Sequence, residues 1–545
     1  MPEPIHVAHR TCCFCEAVCG LRIEFRDGVP AHIRGDELDP SSRGYICPKG
    51  AAVARSDADP DRLRLPMARN RASGRHTEIS WEEAFARVEE GFSRIDRRDP
   101  DSFALYYGTG IVHGAGYYYL PALAQAIPTQ NIFSTSTVDQ APKQVACALM
   151  FGHPNSIPIP DIDRCNHLVI IGANPLQSNG SMMTAPGVAN RLRRLRQRGG
   201  KIVVIDPLRT ATAELADQYM PIKPATDVFL LAGMIHTLIE ERLVRLGSLQ
   251  EHVANLDQIA PAFSRFSPEV VSSVCGVPAA FIRTLAHETA TRQAAAVYGR
   301  IGTTTQAFGT LASWMIDLVN ILAGNLDQVG GMMFPKAAVG QYNSRIGRMR
   351  GSLEVFGPKT RVGGRPSINI SRGFERPVVS LAEEIETAGA GQIRSLLTIG
   401  CNPVLTIPNG ARVAKALDSL DFMVSVDPYI NETTRFADVI LPPEGDLAKQ
   451  QYPSTYYQRS TRNVARWSPR SRPLAPHERS ETEIYLRLAS ALRGDNAAPS
   501  LVDEHFIATL VEQWVLSAKG ELPHLDGRKI LEQLGDRSGI PRVID

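Results

Sequence analysis

The sequence predicts an α/β protein: a small β-rich unit at the N-terminus, followed by two doubly wound α/β domains. Two observations carry this. The first is a strand, helix, strand pattern that occurs twice. His167-Leu-Val-Ile-Ile-Gly-Ala-Asn-Pro175 is followed by Lys201-Ile-Val-Val-Ile-Asp-Pro207, and Ser395-Leu-Leu-Thr-Ile-Gly-Cys-Asn-Pro403 by Phe422-Met-Val-Ser-Val-Asp-Pro428. Short apolar runs ending in polar corners and separated by helical patterns are the signature of buried parallel strands. The second is a crowd of cysteines before residue 50, interrupted by an alternating strand pattern (Leu21-Arg-Ile-Glu-Phe25) and an Arg26-Asp-Gly hairpin turn.

The cysteines come first in the chain. Cys12, Cys15 and Cys19 stand at spacings x2 and x3, and Cys47 closes the set ahead of Pro48. Four thiolates on two tight loops form a soft cage for zinc or an iron–sulfur cluster. Three ligands in one wrap, with a proline after the fourth, favour a [4Fe-4S] cluster; a zinc ribbon is the alternative. Cys13 competes with Cys12 for the fourth place, but lies one residue from it on an extended backbone and so points the other way. After the cluster unit, Pro60 to Arg75 is polar, Pro/Gly/Arg-rich connecting chain. Ser80 and Glu83 read as a capping box opening a helix to about Ile95.

The strand Phe103-Ala-Leu-Tyr-Tyr107 runs into Gly108-Thr-Gly-Ile-Val-His-Gly-Ala-Gly116, with a helix expected through Ala126. The spacing misses the third glycine of a dinucleotide fingerprint, so NAD binding is not favoured. A basic helix is expected from Val188 to Arg198, and another from about Leu311 to Leu322, closed by the glycines of Gly324-Asn-Leu-Asp-Gln-Val-Gly-Gly331.

At 545 residues the chain is too long for one core. A net charge of +2 implies no polyanion partner, so no nucleic acid is expected. No apolar run of membrane-spanning length and no leader pattern is seen, so the expectation is a cytoplasmic protein without membrane insertion.

Cys-x2-Cys-x3-Cys, a long gap, then Cys47-Pro-Lys-Gly50 resembles the N-terminus of the molybdenum or tungsten bis-pterin oxidoreductases, the group of dimethyl sulfoxide reductases, formate dehydrogenases and assimilatory nitrate reductases. The resemblance implies a cluster unit at 1–58. It also implies two interleaved α/β domains, one from 59–130 plus 332–493 and one at 131–331, with a helical tail at 494–545. It implies a [4Fe-4S] cluster on Cys12, Cys15, Cys19 and Cys47, bis-molybdopterin guanine dinucleotide, and molybdenum or tungsten, with Lys49 between cluster and pterin. Val138 and Pro142 match a family motif in which Asp139 takes the place of a cysteine or selenocysteine metal ligand and Gln140 that of a histidine. Asp139 as a metal ligand suits oxygen-atom transfer; the alternative is a helix N-cap, or a residue behind the metal ligands, ahead of Pro142 and the apolar run Val145 to Met150. His113 either faces the active site or fills a turn. Pterin contacts are expected from Gly172, Asn174 and Ser178; from Asp206, Pro207 and Thr210; and from Thr226 and Asp227. The second copy offers Gly400, Asn402, Asp427 and Thr433.

The implied activity is two-electron chemistry on a small oxyanion or formate-like substrate, with electrons leaving through the cluster to a partner protein. Where the family continues into a C-terminal β-barrel, Leu501 to Asp545 reads as helices and loops (Phe506 to Leu516, Lys529 to Leu534), which implies a fragment, a barrel supplied by another polypeptide, or incomplete cofactor binding. That leaves open a non-catalytic electron-transfer or scaffold subunit without pterin.

Overall fold

The computed structural model describes residues 6–336, 354–370, 373–495, 497–503 and 505–506. The expected helices at Phe506–Leu516 and Lys529–Leu534 lie, apart from Phe506, outside the described residues.

His6–Thr11, Gly20–Arg26 and Val29–Gly35 form an antiparallel three-stranded sheet. Its hairpin turn is the expected one: Asp27 and Gly28 both have positive φ (53° and 73°), the handedness that matches strand twist. Leu21, Ile23 and Phe25 point inward and pack with Cys12 and Cys19.

A four-stranded sheet runs in the order Gln218–Met220, Lys201–Ile205, His167–Ile171, Ala295–Gly299, all parallel. A seven-stranded sheet runs Arg75–Glu78, Met67–Asn70, Val439–Leu441, Phe422–Val426, Ser395–Ile399, Phe103–Tyr107, Ile132–Ser134. Its last five strands are parallel and its first two form an antiparallel edge hairpin. Strands from before and after the smaller sheet join in the larger one, so the two α/β layers are interleaved, as the resemblance implies. Ile132–Ser134, just past the expected boundary at residue 130, pairs within the larger sheet.

Strand residues such as Val169, Ile171, Val203 and Leu396 are wholly buried, because parallel strands are covered on both faces. Helices pack these faces. Trp81–Ser93 opens with Ser80 Oγ accepting from Glu83 N (3.1 Å), but the Glu83 carboxylate turns to Arg87 instead of closing a capping box. Between Gly108 and the helix Leu120–Ala126 the chain makes two 3-10 turns rather than one continuous helix.

The duplication extends to individual hydrogen bonds. Gly172 and Gly400 each follow a strand with φ of 57° and 55°, and each N–H reaches the end of the next strand, at Ile205 O and Val426 O (both 2.9 Å). Thr212 Oγ1 donates to Asn174 Oδ1 (2.6 Å) and accepts from Leu176 N. Thr433 Oγ1 donates to Asn402 Oδ1 (2.7 Å) and accepts from Val404 N. Asp206 and Asp427 each fold a turn by accepting from the N–H two residues on, Leu208 and Tyr429. Thr212, not the expected Thr210, is therefore the partner of Thr433. Thr210 instead caps the helix Ala211–Leu215 through Ala213 N.

Candidate active site and cluster centre

Cys12 and Cys19 are buried and Cys15 and Cys47 half-buried, on loops tied by Cys12 N to Cys19 O (2.8 Å). Burial pushes the Cys12 thiol up to about 11, with Cys15 and Cys47 adding to it. Cys19 is raised by burial and then by Cys12, Cys15 and Cys47. Thiols held in their protonated form in this way, Cys12, Cys15 and Cys19, give up their protons only to a metal. Among the described residues no three Cys, His, Asp or Glu side chains are close enough to hold one metal ion. The x2 and x3 spacings in the sequence suit a multi-iron cube better than a single zinc. Cys13 looks away. Burial raises it, and its charged neighbours are Asp446, Cys12, Arg10 and Lys449, not Cys15 or Cys47.

Beside the cysteines lies a cavity of about 410 Å³. Cys15 and Lys49 border it on the cluster side. Gly108 and His113 come from the larger sheet, Gln177 and Ser178 from the first Asn-Pro corner, and Asp139 and Gln140 from the segment before the helix Ala141–Phe151. A second cavity of about 220 Å³ lies beyond Cys13 and His113, against Gly400 and Pro428 of the second corner. The chain thus gathers Lys49, His113, Asp139, Gln140 and Ser178 around one space and Gly400 around its neighbour. Asn174, Asp206, Pro207, Thr210, Thr226 and Asp227 stand outside both, as do Asn402, Asp427 and Thr433. Thr226 bonds Lys223 O, and Asp227 accepts from Gln306 (2.6 Å).

Asp139 is not a helix cap. The N-cap position belongs to Gln140, and no side chain caps that helix. Instead Asp139, 42% exposed toward the cavity, accepts a charge-assisted bond from Arg300 Nη2 (2.6 Å). Arg300 is buried and also holds Ser181 Oγ through Nε (2.7 Å). Gln140 bonds Ser136 Oγ (3.3 Å). His113 is buried against Tyr456, ring centroids 5.0 Å apart. Burial, then Lys449, pulls it down to about 3, so it is neutral.

Arg300 and Arg459 line the cavity and went unnoticed in the sequence, as did Glu16 and Glu375. Burial raises both glutamates; Glu375 is further engaged by Ser134 and Tyr107. Arg300 had a signal: it sits at the carboxyl end of the strand Ala295–Gly299, where open α/β sheets bind ligands.

Two glycines of the segment Gly108–Gly116 serve close packing. A Cβ on Gly108 would lie 2.1 Å from Gly400 O, and one on Gly114 would meet Glu481 Oε2 at 2.3 Å.

The model of the molybdopterin oxidoreductase family matches residues 62–444, and that of the molybdopterin oxidoreductase Fe4S4 domain matches residues 5–56. The chain belongs to the molybdopterin oxidoreductase family. Its relatives include the F420-dependent formate dehydrogenase subunit alpha of Methanocaldococcus jannaschii, 26% identical over 80% of this chain and 63% of that protein. The nitrate reductase of Synechocystis is 27% identical over 91% of this chain and 70% of that protein. The chain thus spans roughly two thirds of the length of these relatives. The acetylene hydratase from Pelobacter acetylenicus superposes with a TM-score of 0.72 at 17% identity, over 90% of this chain and 69% of the other, a likeness of fold. Membership brings an Fe4S4 domain and a molybdopterin-binding body, and the buried thiol set and adjoining cavities fit both groups. Among the described residues no single helix is long and apolar enough to cross a membrane.

Proposed function

We propose that the protein is a two-electron oxidoreductase acting on a small oxyanion or formate-like anion. The observation that carries this is the 410 Å³ cavity in which Lys49, Arg300 and Arg459 meet Asp139 beside the cluster cysteine Cys15. Burial raises the carboxyls of Glu16 and Glu375, and Lys49, Arg300 and Arg459 bring three cationic side chains to the same space. An anion is the ligand such a cavity favours.

Cys12, Cys15, Cys19 and Cys47 would hold the [4Fe-4S] cluster. The two corners, Gly172 to Asp206 and Gly400 to Asp427, would hold the nucleotide ends of two pterin guanine dinucleotides. The bound molybdenum or tungsten supplies two-electron exchange with substrate, and the cluster passes electrons on singly. Asp139 is the protein's carboxylate toward that metal, a harder ligand than a thiolate and suited to oxygen-atom transfer. Arg300 holds its carboxylate in place. Neutral, buried His113 closes the inner wall without adding charge. Relatives named for formate oxidation and nitrate reduction support both as first substrates.

The test is viologen-linked formate oxidation and nitrate reduction by metal-replete protein, alongside Asp139→Ala. The reading expects turnover of one small anion, lost in the variant while iron content is unchanged. Metal-replete protein that turns over no small anion contradicts it. Protein that binds iron but no pterin would support the scaffold alternative instead.

A further inference from the structure

Beside the cluster unit lies a second concave surface that shares no lining residue with the active cavity, and the chemistry described above makes no use of it. A groove of about 330 Å³ runs between the loop Ser41–Ile46 and the start of the helix Val188–Gln197. Its eleven lining residues include three arginines, Arg43, Arg191 and Arg194, and no aspartate or glutamate.

The arginines do different jobs. Arg191 is buried and structural: it pairs with Asp163 and donates to Ser41 O (2.7 Å) and Pro186 O (3.0 Å), fastening the cluster loop to the helix. Arg43 and Arg194 are exposed, and neither forms an ion pair among the described residues. Arg43 donates only to the backbone carbonyl of Pro40 (3.3 Å). Arg193 adds a further exposed cation on the same helix, bonded to Asn190. Glu37 packs behind Gly44, and Leu38, 83% exposed, stands on the same loop.

The floor of the groove is the approach to the cysteines. Tyr45 and Ile46 line it and immediately precede Cys47. Both pack against the buried cluster of side chains that contains Cys12 and Cys19. Gly187 packs on the Tyr45 ring, where a Cβ would come within 3.1 Å. Tyr45 and Ile46 thus lie between the groove and the cluster cysteines, and Asp163, which pairs with Arg191 and feels the charge of Arg43, leaves the groove with a net excess of cationic side chains.

We propose that this groove is the docking site for an acidic one-electron carrier protein, seated on Arg43 and Arg194 with Tyr45 between it and the cluster. The inference rests on the cluster assignment above, not on the substrate chemistry. Each encounter moves one electron: the carrier loses it and the cluster gains it, or the reverse, with no bond made or broken. Cationic residues at the rim steer an acidic partner and set its approach rate, and exposed Leu38 offers an apolar contact once it has arrived.

The experiment uses the full chain with its cluster and a plant-type acidic [2Fe-2S] ferredoxin as probe. Binding is measured at low and high salt, and cluster reduction by reduced ferredoxin is followed by bleaching of the visible band. In the Arg43→Glu/Arg194→Glu double variant, affinity and the ferredoxin-linked rate at low salt should fall by roughly 10-fold or more. Photoreduction by neutral 5-deazariboflavin should be unchanged, and Arg43→Lys/Arg194→Lys should behave as the parent protein. Unchanged ferredoxin binding and rate in the charge-reversed variant would overturn the proposal. So would an equal slowing with deazariboflavin, which would point to a damaged cluster. Because only the cluster is read, a failure of substrate turnover would not affect the outcome.

Discussion

The two copies of the duplicated α/β frame can be superimposed in thought, bond by bond, until one position. Strand Ala295–Gly299 runs beside His167–Ile171 as Phe103–Tyr107 runs beside Ser395–Ile399, and in both the last residue pairs with the last. The next residue donates its N–H back across the sheet, Arg300 to Ile171 O and Gly108 to Ile399 O. Arg300 and Gly108 are therefore equivalent. In the first copy a buried guanidinium reaches from this position to Asp139 and Ser181. In the second the backbone of Gly400 and Cys401 fills the space that a side chain would need. The same scaffold thus builds a charged wall on one side of the site and a bare one on the other. Function has been written into the frame at a strand end, where the sheet does not constrain the residue.

The difference can be broken from either side. Gly108→Ala puts a Cβ within 2.1 Å of a backbone carbonyl, a clash no rotamer relieves. It is expected to cost about 3 kcal/mol or more, seen as lost soluble yield or a midpoint shift in urea. Arg300→Gly should fold and keep iron, since it removes only cavity-side bonds. It releases a charge-assisted hydrogen bond to Asp139, worth about 1.5–3 kcal/mol, so turnover should fall roughly 10- to 100-fold. A normal rate in Arg300→Gly would remove Arg300 from the account.

The acids at the two strand ends differ by degree. Asp427 is buried and lifted from its ordinary 3.8 to about 6 by burial, against the hydrogen bond from Tyr429 N and the charge of Arg62; half-buried Asp206 is raised in the same direction. A carboxyl whose pKa is higher in the folded state holds its proton there after the unfolded chain has released it. Stability is thus lost as pH rises from about 4 to about 6, then levels off. A shift of about two units is worth at most about 3 kcal/mol. Asp427→Asn should flatten urea stability between pH 4.5 and 6.5, and Asp206→Asn should do so less. An equal effect at both would mean that burial is not the cause.

The smallest effect expected is the most symmetric. Thr212→Val and Thr433→Val each remove one buried hydroxyl that donates to an asparagine and accepts from an amide. Each should cost about 1–3 kcal/mol, and the two costs should agree closely. Divergent costs would show that the corners are alike in geometry but not in energy.

Much of this was legible in the sequence because it repeats. Gly-x-Asn-Pro and Asp-Pro at two strand ends, and four cysteines at fixed spacing, are local patterns with local causes. Thr210 and Thr212 both follow the same Asp-Pro, and only the fold shows which hydroxyl reaches Asn174. Arg300 was hidden for a different reason: its partner is 161 residues away, and nothing around Arg300 or Asp139 announces the pairing. The glycines at 108, 114 and 116 miss the dinucleotide fingerprint in the sequence, and the structure gives them another use: they let Gly400, Glu481 and Tyr485 approach. Sequence shows which residues are small; it does not show what is pressed against them.

The central claim is that four of the five N-terminal cysteines hold a cluster that serves a molybdenum or tungsten site. It is tested most directly by measuring iron, zinc, molybdenum and tungsten per chain in anaerobically purified protein and in its Cys12→Ser and Cys13→Ser variants. The account predicts four irons and one molybdenum or tungsten in the parent chain, the irons kept in Cys13→Ser and lost in Cys12→Ser. One zinc without iron, or iron lost with Cys13 and kept without Cys12, would contradict it.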